Sequence, residues 1–436
     1  MFSNYCMREE LVSLEELNWK EMGCLLSTPE VAGGARRRPR NIGEVVVFVP
    51  GLRIPRPLDF AQPLGDGLSK SLVERLSALR TRIEVMAGQE APMTTKPRRT
   101  ATQHGGSTLT DLQQALEDYL PVLLGLVENG NWLKHNLRFC WINQEDDVEE
   151  TTMSDSWYEV LSVLHLMAVL LLSQANLLLL PNKFTSGYQS TALEDCKRAS
   201  IDIFLKAAGY LDFAVQKVLP QLPLELRNDL PLDLSEGVLK ALCLQALGQG
   251  VEIQLGMAID SIKATLAVKR RLACEMVKYW HQAEEYIKDL PLANGWGEKH
   301  KLFIQWKHIE AKAIAYYLHG LILEEGNTSA GIAAAALQAA EEYLKESKMA
   351  CDSFHVTLPS SRNPPPWGAS KYLAERIPKD ISSKTINWDS QKHEMIKQVA
   401  PALPDFVLSL KPDEYQLPST DPSWNDLQVQ NVVPTK

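Results

Sequence analysis

The sequence predicts a mainly α-helical protein, and three features point that way. Apolar residues recur at helical spacing through most of the chain after residue 108. Prolines at 181, 220, 223, 231 and 291 fall between those stretches, where helices stop. In the first half of the chain, persuasive strand text is confined to one short run near residue 45. Hydrophobic residues make up 45% of the 436 positions and charged residues 23%. That composition belongs to a folded soluble protein with a sizeable core. The net charge of −9 excludes a broad nucleic-acid face, which requires strongly basic character.

Residues 1–40 are expected to be a flexible extension ending in the basic run Arg36-Arg37-Arg38-Pro39-Arg40, whose Gly/Pro context favours a solvated segment. Val45-Val46-Val47 followed by Pro50-Gly51 predicts a short strand and turn. Leu68, Leu72, Leu76, Leu79 and Ile83 predict a helix over Leu68–Met86. Residues 87–107, rich in Gly, Pro, Thr and basic side chains, cannot bury a core and are expected to form a disordered insert. Helices then follow over Leu109–Asn129, Asp155–Leu180, Ala192–Leu219, Ser235–Ile259, Ser261–Asp289, Glu298–Gly326 and Ser329–Phe354. A last helix is expected near Asp389–Ala400. The extended, proline-punctuated text from Asp405 to Trp424 should pack back across the domain, and residues 427–436 form a disordered tail. The folded domain is thus expected over 41–426.

Two stretches require a decision. Val160–Leu180 is apolar over the length needed to span a bilayer. It carries His165, Gln174 and Asn176, which are costly in lipid, so it is assigned to the protein core. In the last pair of long helices, Ala311, Ala315 and Gly320 face the run Ala333-Ala334-Ala335-Ala336 with Ala339 and Ala340. Small residues there allow close antiparallel packing, with Tyr316, Tyr317, Leu337 and Tyr343 around them. This is a tetratricopeptide-like hairpin, and the structural expectation is a solenoid-like helical stack.

No motif for chemistry emerges. The sequence lacks a P-loop, H-E-x-x-H, G-x-S-x-G and G-x-G-x-x-G after a strand. His281 with Glu284 and Glu285, and His319 with Glu324, fit no common metal-ligand spacing. The tryptophans at 132, 141, 157, 280, 296 and 306 stand singly, as core residues do. The seven cysteines form no C-x-x-C pair, and most sit in apolar helical text as buried, reduced thiols. No enzyme activity, cofactor or metal is expected. Neither a secretory signal nor a lipid-modification motif is visible, so a cytoplasmic protein is expected.

One region is recognisable. The run ALCLQALGQGVEIQLGMAIDSIKATLAVKRRLACEMVKYWHQAEEYI resembles the paired helices of the BRO-domain family, which includes Alix, Brox and yeast Bro-one. The resemblance rests on Gln249, Glu252, Ala258-Ile259, Leu272-Ala273, Glu275 and Tyr279-Trp280. Asn136–Trp141 resembles the family's strand ending in Trp, Tyr158–Leu180 its long buried helix, and His308–Gly320 its helix rich in Ala and Tyr. Asp405-Phe406-Val407 with Pro412 resembles its closing strand. The match runs from about Glu44 to Asp426, and the layout looks most like the stand-alone BRO-like proteins of plants.

The resemblance implies a boomerang-shaped domain with a tetratricopeptide-like solenoid core and a small β-sheet. It also implies a non-enzymatic adaptor in endosomal, multivesicular-body sorting. The partner would be the amphipathic C-terminal helix of a Snf-seven-type ESCRT-III subunit, which would bring the protein peripherally to endosomes. By position, the groove floor would comprise Leu255, Ile259, Val268 and Leu272, with Lys269, Arg270 and Arg271 at its rim. Two departures are visible: Gln254 replaces a bulky groove residue, and the loop Asp260–Ala264 is one residue longer than in Brox-like members. Leu408 stands where animal members carry a tyrosine linked to kinase docking, so that role is not carried over.

From spacing alone, Val268 and Leu272 lie one turn apart on one helix face beside three cations, as a helix-in-groove site requires. The same spacing also fits residues that pack the domain's own core. On the same fold, the alternative function is a helical scaffold for another peptide client, in the nuclear envelope or autophagy.

Overall fold

A computed structural model of the chain describes residues 47–64, 68–90, 105–129, 137–144, 150–179, 189–292, 296–326, 330–359, 374–383 and 399–424. The chain separates into two compact units, Met1–Arg40 and Asn41–Lys436, and all described residues belong to the second. The expected extension, most of the expected insert, nearly all of the helix proposed near Asp389–Ala400, and the final residues lie outside them.

The long helices are α1 (Lys70–Glu90), α2 (Gly105–Asn129), α3 (Ser156–Leu179), α4 (Gln189–Phe213), α5 (Glu236–Asp260), α6 (Leu266–Ile287), α7 (Trp296–Glu325) and α8 (Ala330–Val356). From α1 to α8 each packs on the next in chain order, the arrangement of a helical stack. The expected boundaries hold to within a few residues, except that the helix expected from Ser261 begins five residues late and the one expected to end at Leu219 ends six residues early, at Phe213. Thr265 caps α6 by accepting from the Val268 amide at 3.3 Å. Such a cap starts the helix there and leaves Ser261–Thr265 as a turn. At the other end of α4 the helix loosens into a π turn over Ala214–Val218 and a 3-10 turn over Leu219–Gln221, before Pro223.

The apolar helix α3 is the core helix, as its polar residues suggested. Nearly every side chain from Tyr158 to Leu172 is sealed by the surrounding helices. The tetratricopeptide-like hairpin α7–α8 forms as expected. A Cβ on Gly320 would sit 2.7 Å from Leu337, so the close approach demands glycine. Beside it, Tyr316 stacks on Tyr343 at 5.5 Å. Trp141, Trp280 and Trp306 are core residues and Trp157 is half-buried; Trp132 lies outside the described residues. The described cysteines, at 140, 196, 243, 274 and 351, are all free.

The sheet differs from expectation. Val47 is unpaired coil, and the strand lies six residues further on, at β1 (Arg53–Pro55). It pairs antiparallel with β2 (Phe139–Asn143), which pairs with β3 (Glu150–Met153). The apolar run is buried instead as a packing segment: Phe48 lies against Phe303 at 5.3 Å and Phe354 at 5.8 Å. A further helix over 374–383, not expected from the sequence, turns Ile377 and Ile381 inward one turn apart.

Several charges that look like surface residues in the sequence are interior. Arg53 is fully buried and donates to Asp233 at 2.7 and 2.8 Å, to Thr151 at 2.7 Å and to Tyr158 at 2.9 Å. Burial opposes the charge on Asp233, yet Arg53 and Asn143 hold its carboxyl below the usual range. Glu159 accepts from Arg80 at 2.8 Å, Trp141 at 2.6 Å and Tyr119 at 3.2 Å. These networks tie the sheet to α1, α2 and α3.

Candidate partner-binding groove

α5 and α6 form an antiparallel hairpin around the turn Ser261–Thr265. Ile259 and Val268 stand at similar distances from that turn, as do Leu255 and Leu272. The four expected floor residues therefore come to one end of one hairpin, but at two depths. Leu255 and Leu272 are sealed, at 2% and 4% exposure, within the domain's hydrophobic core. Ile259 and Val268 are half-buried, with one side on that core and the other open. Gln254 is also buried, and its Oε1 has no hydrogen-bond partner.

On α6, Val268, Leu272, Glu275 and Tyr279 follow one another at +4, +7 and +11 and so share a face. The far half of that face is covered from within. An extended segment, Val399–Trp424, lies across the helices as a strap. Ser409 donates its backbone N–H at 2.9 Å and its hydroxyl at 2.5 Å to the buried Glu275 carboxylate. Tyr279 donates its hydroxyl to the Leu410 carbonyl at 2.6 Å. Lys278 pairs with Asp405 and donates to the Phe406 carbonyl. Phe406, Leu408 and Leu410 alternate inward, while Val407 points out at 82% exposure. This is the two-residue period of an extended chain. The expected closing segment thus packs back as anticipated, but it joins no sheet ladder and is not a strand.

Glycines shape the seat of the strap. A Cβ on Gly250 of α5 would lie 3.0 Å from Leu410, on Gly209 of α4 2.5 Å from the Asp413 carbonyl, and on Gly125 of α2 2.1 Å from the Trp424 indole. The Asp413 amide donates to Leu205 at 3.1 Å, Tyr415 meets Tyr210 edge-on at 4.6 Å, and Trp424 donates to the Val122 carbonyl at 3.0 Å.

The three rim cations have different surroundings. Arg271 donates to Glu275 at 3.0 Å, leaving its guanidinium partly exposed. Arg270 is half-buried over the Phe406 ring at 6.0 Å and reaches His319 Nδ1 at 3.5 Å. The latter is a long contact. Burial, aided by Arg270, lowers the pKa of His319 and keeps it neutral. Lys269 is half-buried. Burial pushes the Cys274 thiol up to about 11, so it is inert.

The other candidates resolve as structural contacts. His308 pairs through Nδ1 with Glu284 at 2.6 Å, linking α6 to α7, and its ring lies 5.3 Å from that of His281. No cluster of three or more His, Cys, Asp or Glu with metal-binding potential occurs among the described residues.

The sequence profile of the BRO1-like domain matches residues 52–393, most of the chain. The chain belongs to the BRO1-like domain family. Solved structures share the fold of this BRO1-like domain. ALIX in complex with a SIVmac239 late-domain peptide aligns at 17% identity with a TM-score of 0.58, covering 87% of this chain and 50% of that one. The chain thus spans half the length of that ALIX chain. A Bro1 domain described in connection with endosomal targeting aligns at 18% identity and TM-score 0.54, covering 89% and 97%. An ALIX BRO1–CHMP4C complex aligns at 16% identity and TM-score 0.56, covering 87% and 96%. No curated protein matches the sequence.

Proposed function

We propose that this BRO1-like domain is a non-enzymatic adaptor whose α5–α6 hairpin binds the amphipathic C-terminal helix of an ESCRT-III subunit of the Snf-seven type. On this reading it acts in the cytoplasm in endosomal, multivesicular-body sorting and reaches membranes peripherally, through that partner. The reading draws support from the fold and from the related ALIX BRO1 domain that forms a complex with CHMP4C.

The observation that carries it is the split along one face of α6. The strap closes the half bearing Glu275 and Tyr279. The half bearing Val268, with Ile259 across the hairpin, stays half-open beside Lys269, Arg270 and Arg271. Val268 and Ile259 are then the direct anchors, while Leu255 and Leu272 support the floor from below. A few apolar anchors at about 2 kcal/mol each, less ordering costs, give a micromolar affinity.

The test is titration of the fluorescein-labelled C-terminal helix of such a subunit against the wild type and Val268→Asp. The half-open position should take the substitution without loss of fold, and burying the carboxylate under the helix should weaken binding by at least about 2 kcal/mol. A well-folded wild type that fails to bind contradicts the reading.

A further inference from the structure

The turn between α5 and α6 presents an apolar side chain to solvent. Ile262 is 90% exposed there, yet the turn is held firmly. The Ser261 amide donates to the Met257 carbonyl at 3.0 Å, the Lys263 amide to the Ser261 hydroxyl at 3.3 Å, and Thr265 caps the next helix. The isoleucine is therefore presented by defined backbone and does not dangle from a loose loop. Half-buried Ile259, Ala264, Leu266 and Val268, on either side of it in the chain, pack against the core.

The charge there is lopsided. From Ser261 to Arg271 the sequence carries Lys263, Lys269, Arg270 and Arg271 and no carboxylate, in a chain of net charge −9. Arg271 pairs with Glu275, and Lys197 of α4 approaches the same end, 3.7 Å from Asp260. An exposed isoleucine in a stretch of chain with excess positive charge complements a segment with an apolar stripe and carboxylates beside it. The strap already occupies the other direction along α6. An occupant of the half-open face must therefore extend toward the turn.

We infer that the α5–α6 turn is the end-stop of the docking groove: Ile262 takes the terminal apolar anchor of an acidic amphipathic helix, and Lys263 and Lys269 face its carboxylates. This rests on the helix-binding reading of the hairpin and adds to it the register and charge of the occupant. The role is specific to this turn, whose tip residue no fold requirement explains.

The experiment uses the full chain and the labelled ESCRT-III C-terminal helix as probe. It compares wild type, Ile262→Asp, Ile262→Val and Lys263→Glu at two salt concentrations, with thermal melts and sedimentation with acidic phosphatidylserine vesicles in parallel. Ile262→Asp should weaken helix binding about tenfold with an unchanged melting temperature, and Ile262→Val should bind nearly as wild type. Lys263→Glu should weaken it severalfold at low salt, with the difference shrinking as salt is raised. Equal binding by wild type and Ile262→Asp overturns the end-stop while leaving the hairpin site standing. Absence of wild-type binding overturns both. Vesicle binding that depends on Ile262, with helix binding indifferent to it, assigns the tip to a lipid surface and also overturns the inference.

Discussion

Two groups of cations in this molecule contrast sharply. Around the sheet, Arg53 and Arg80 are sealed, and both oxygens of their carboxylate partners, Asp233 and Glu159, accept hydrogen bonds. At the α5–α6 turn, Lys263 is exposed, and Lys269, Arg270 and Arg271 are half-buried around apolar side chains that stay partly open. The first group holds elements together, because an interior charge is tolerated only when its partners are fixed. The second lies where the fold has left room. A positive charge in the sequence therefore says little until its burial is known.

The largest expected effect falls on the sealed group. Glu159→Ala leaves Arg80 buried without its carboxylate and removes the acceptor of Trp141 and Tyr119. Urea unfolding should show a loss of about 3–5 kcal/mol. A loss below about 1 kcal/mol, the range of an ordinary surface pair, would erase the contrast.

Next comes the strap. Gly125→Ala places a methyl where the Trp424 indole lies, so the indole must leave its seat. A loss of roughly 2–4 kcal/mol, with earlier proteolysis near residues 413–424, should follow. Unchanged proteolysis would show that the strap is not held there.

A smaller effect concerns histidines. His165 lies wholly inside α3 with neither ring nitrogen bonded, and burial lowers its pKa to about 4. Burial lowers that of His300, whose Nε2 lies 2.8 Å from Gln245, to about 3. Both groups are neutral when folded and titrate near 6.5 when unfolded, so the unfolded state takes up more protons as pH falls. Their stabilisation is complete above about pH 6.5 and is lost progressively as pH falls, toward about pH 4 for His165 and about pH 3 for His300, by up to about 1.4 kcal/mol per pH unit for each group. His165→Leu should flatten that loss and at neutral pH be neutral or stabilising; an unaltered acid profile would contradict the assignment.

The helices were legible because periodicity reports one apolar face, and α3 because an apolar helix with scattered polar residues belongs inside a large fold. The α7–α8 hairpin was visible in its alanines. The sheet was not. Val45-Val46-Val47 carries strand propensity, but β1 forms at Arg-Ile-Pro, set by β2 and by the buried Arg53, and β3 is the polar run Glu-Thr-Thr-Met. The helix over 374–383 was hidden by Pro378. At the groove, spacing brought Ile259, Val268, Leu255 and Leu272 to one hairpin but had no means of ranking their depth. Ile262 escaped notice because a lone apolar residue in a turn has no periodic signal, and its exposure is visible only in three dimensions.

Hydrogen exchange of the full chain, with and without the ESCRT-III C-terminal helix, addresses the central claim most directly. Slowed exchange should concentrate in residues 257–272, with the strap around Ser409 and Leu410 unchanged. Protection confined to the strap or to α7–α8, with 257–272 unaffected, would contradict the account.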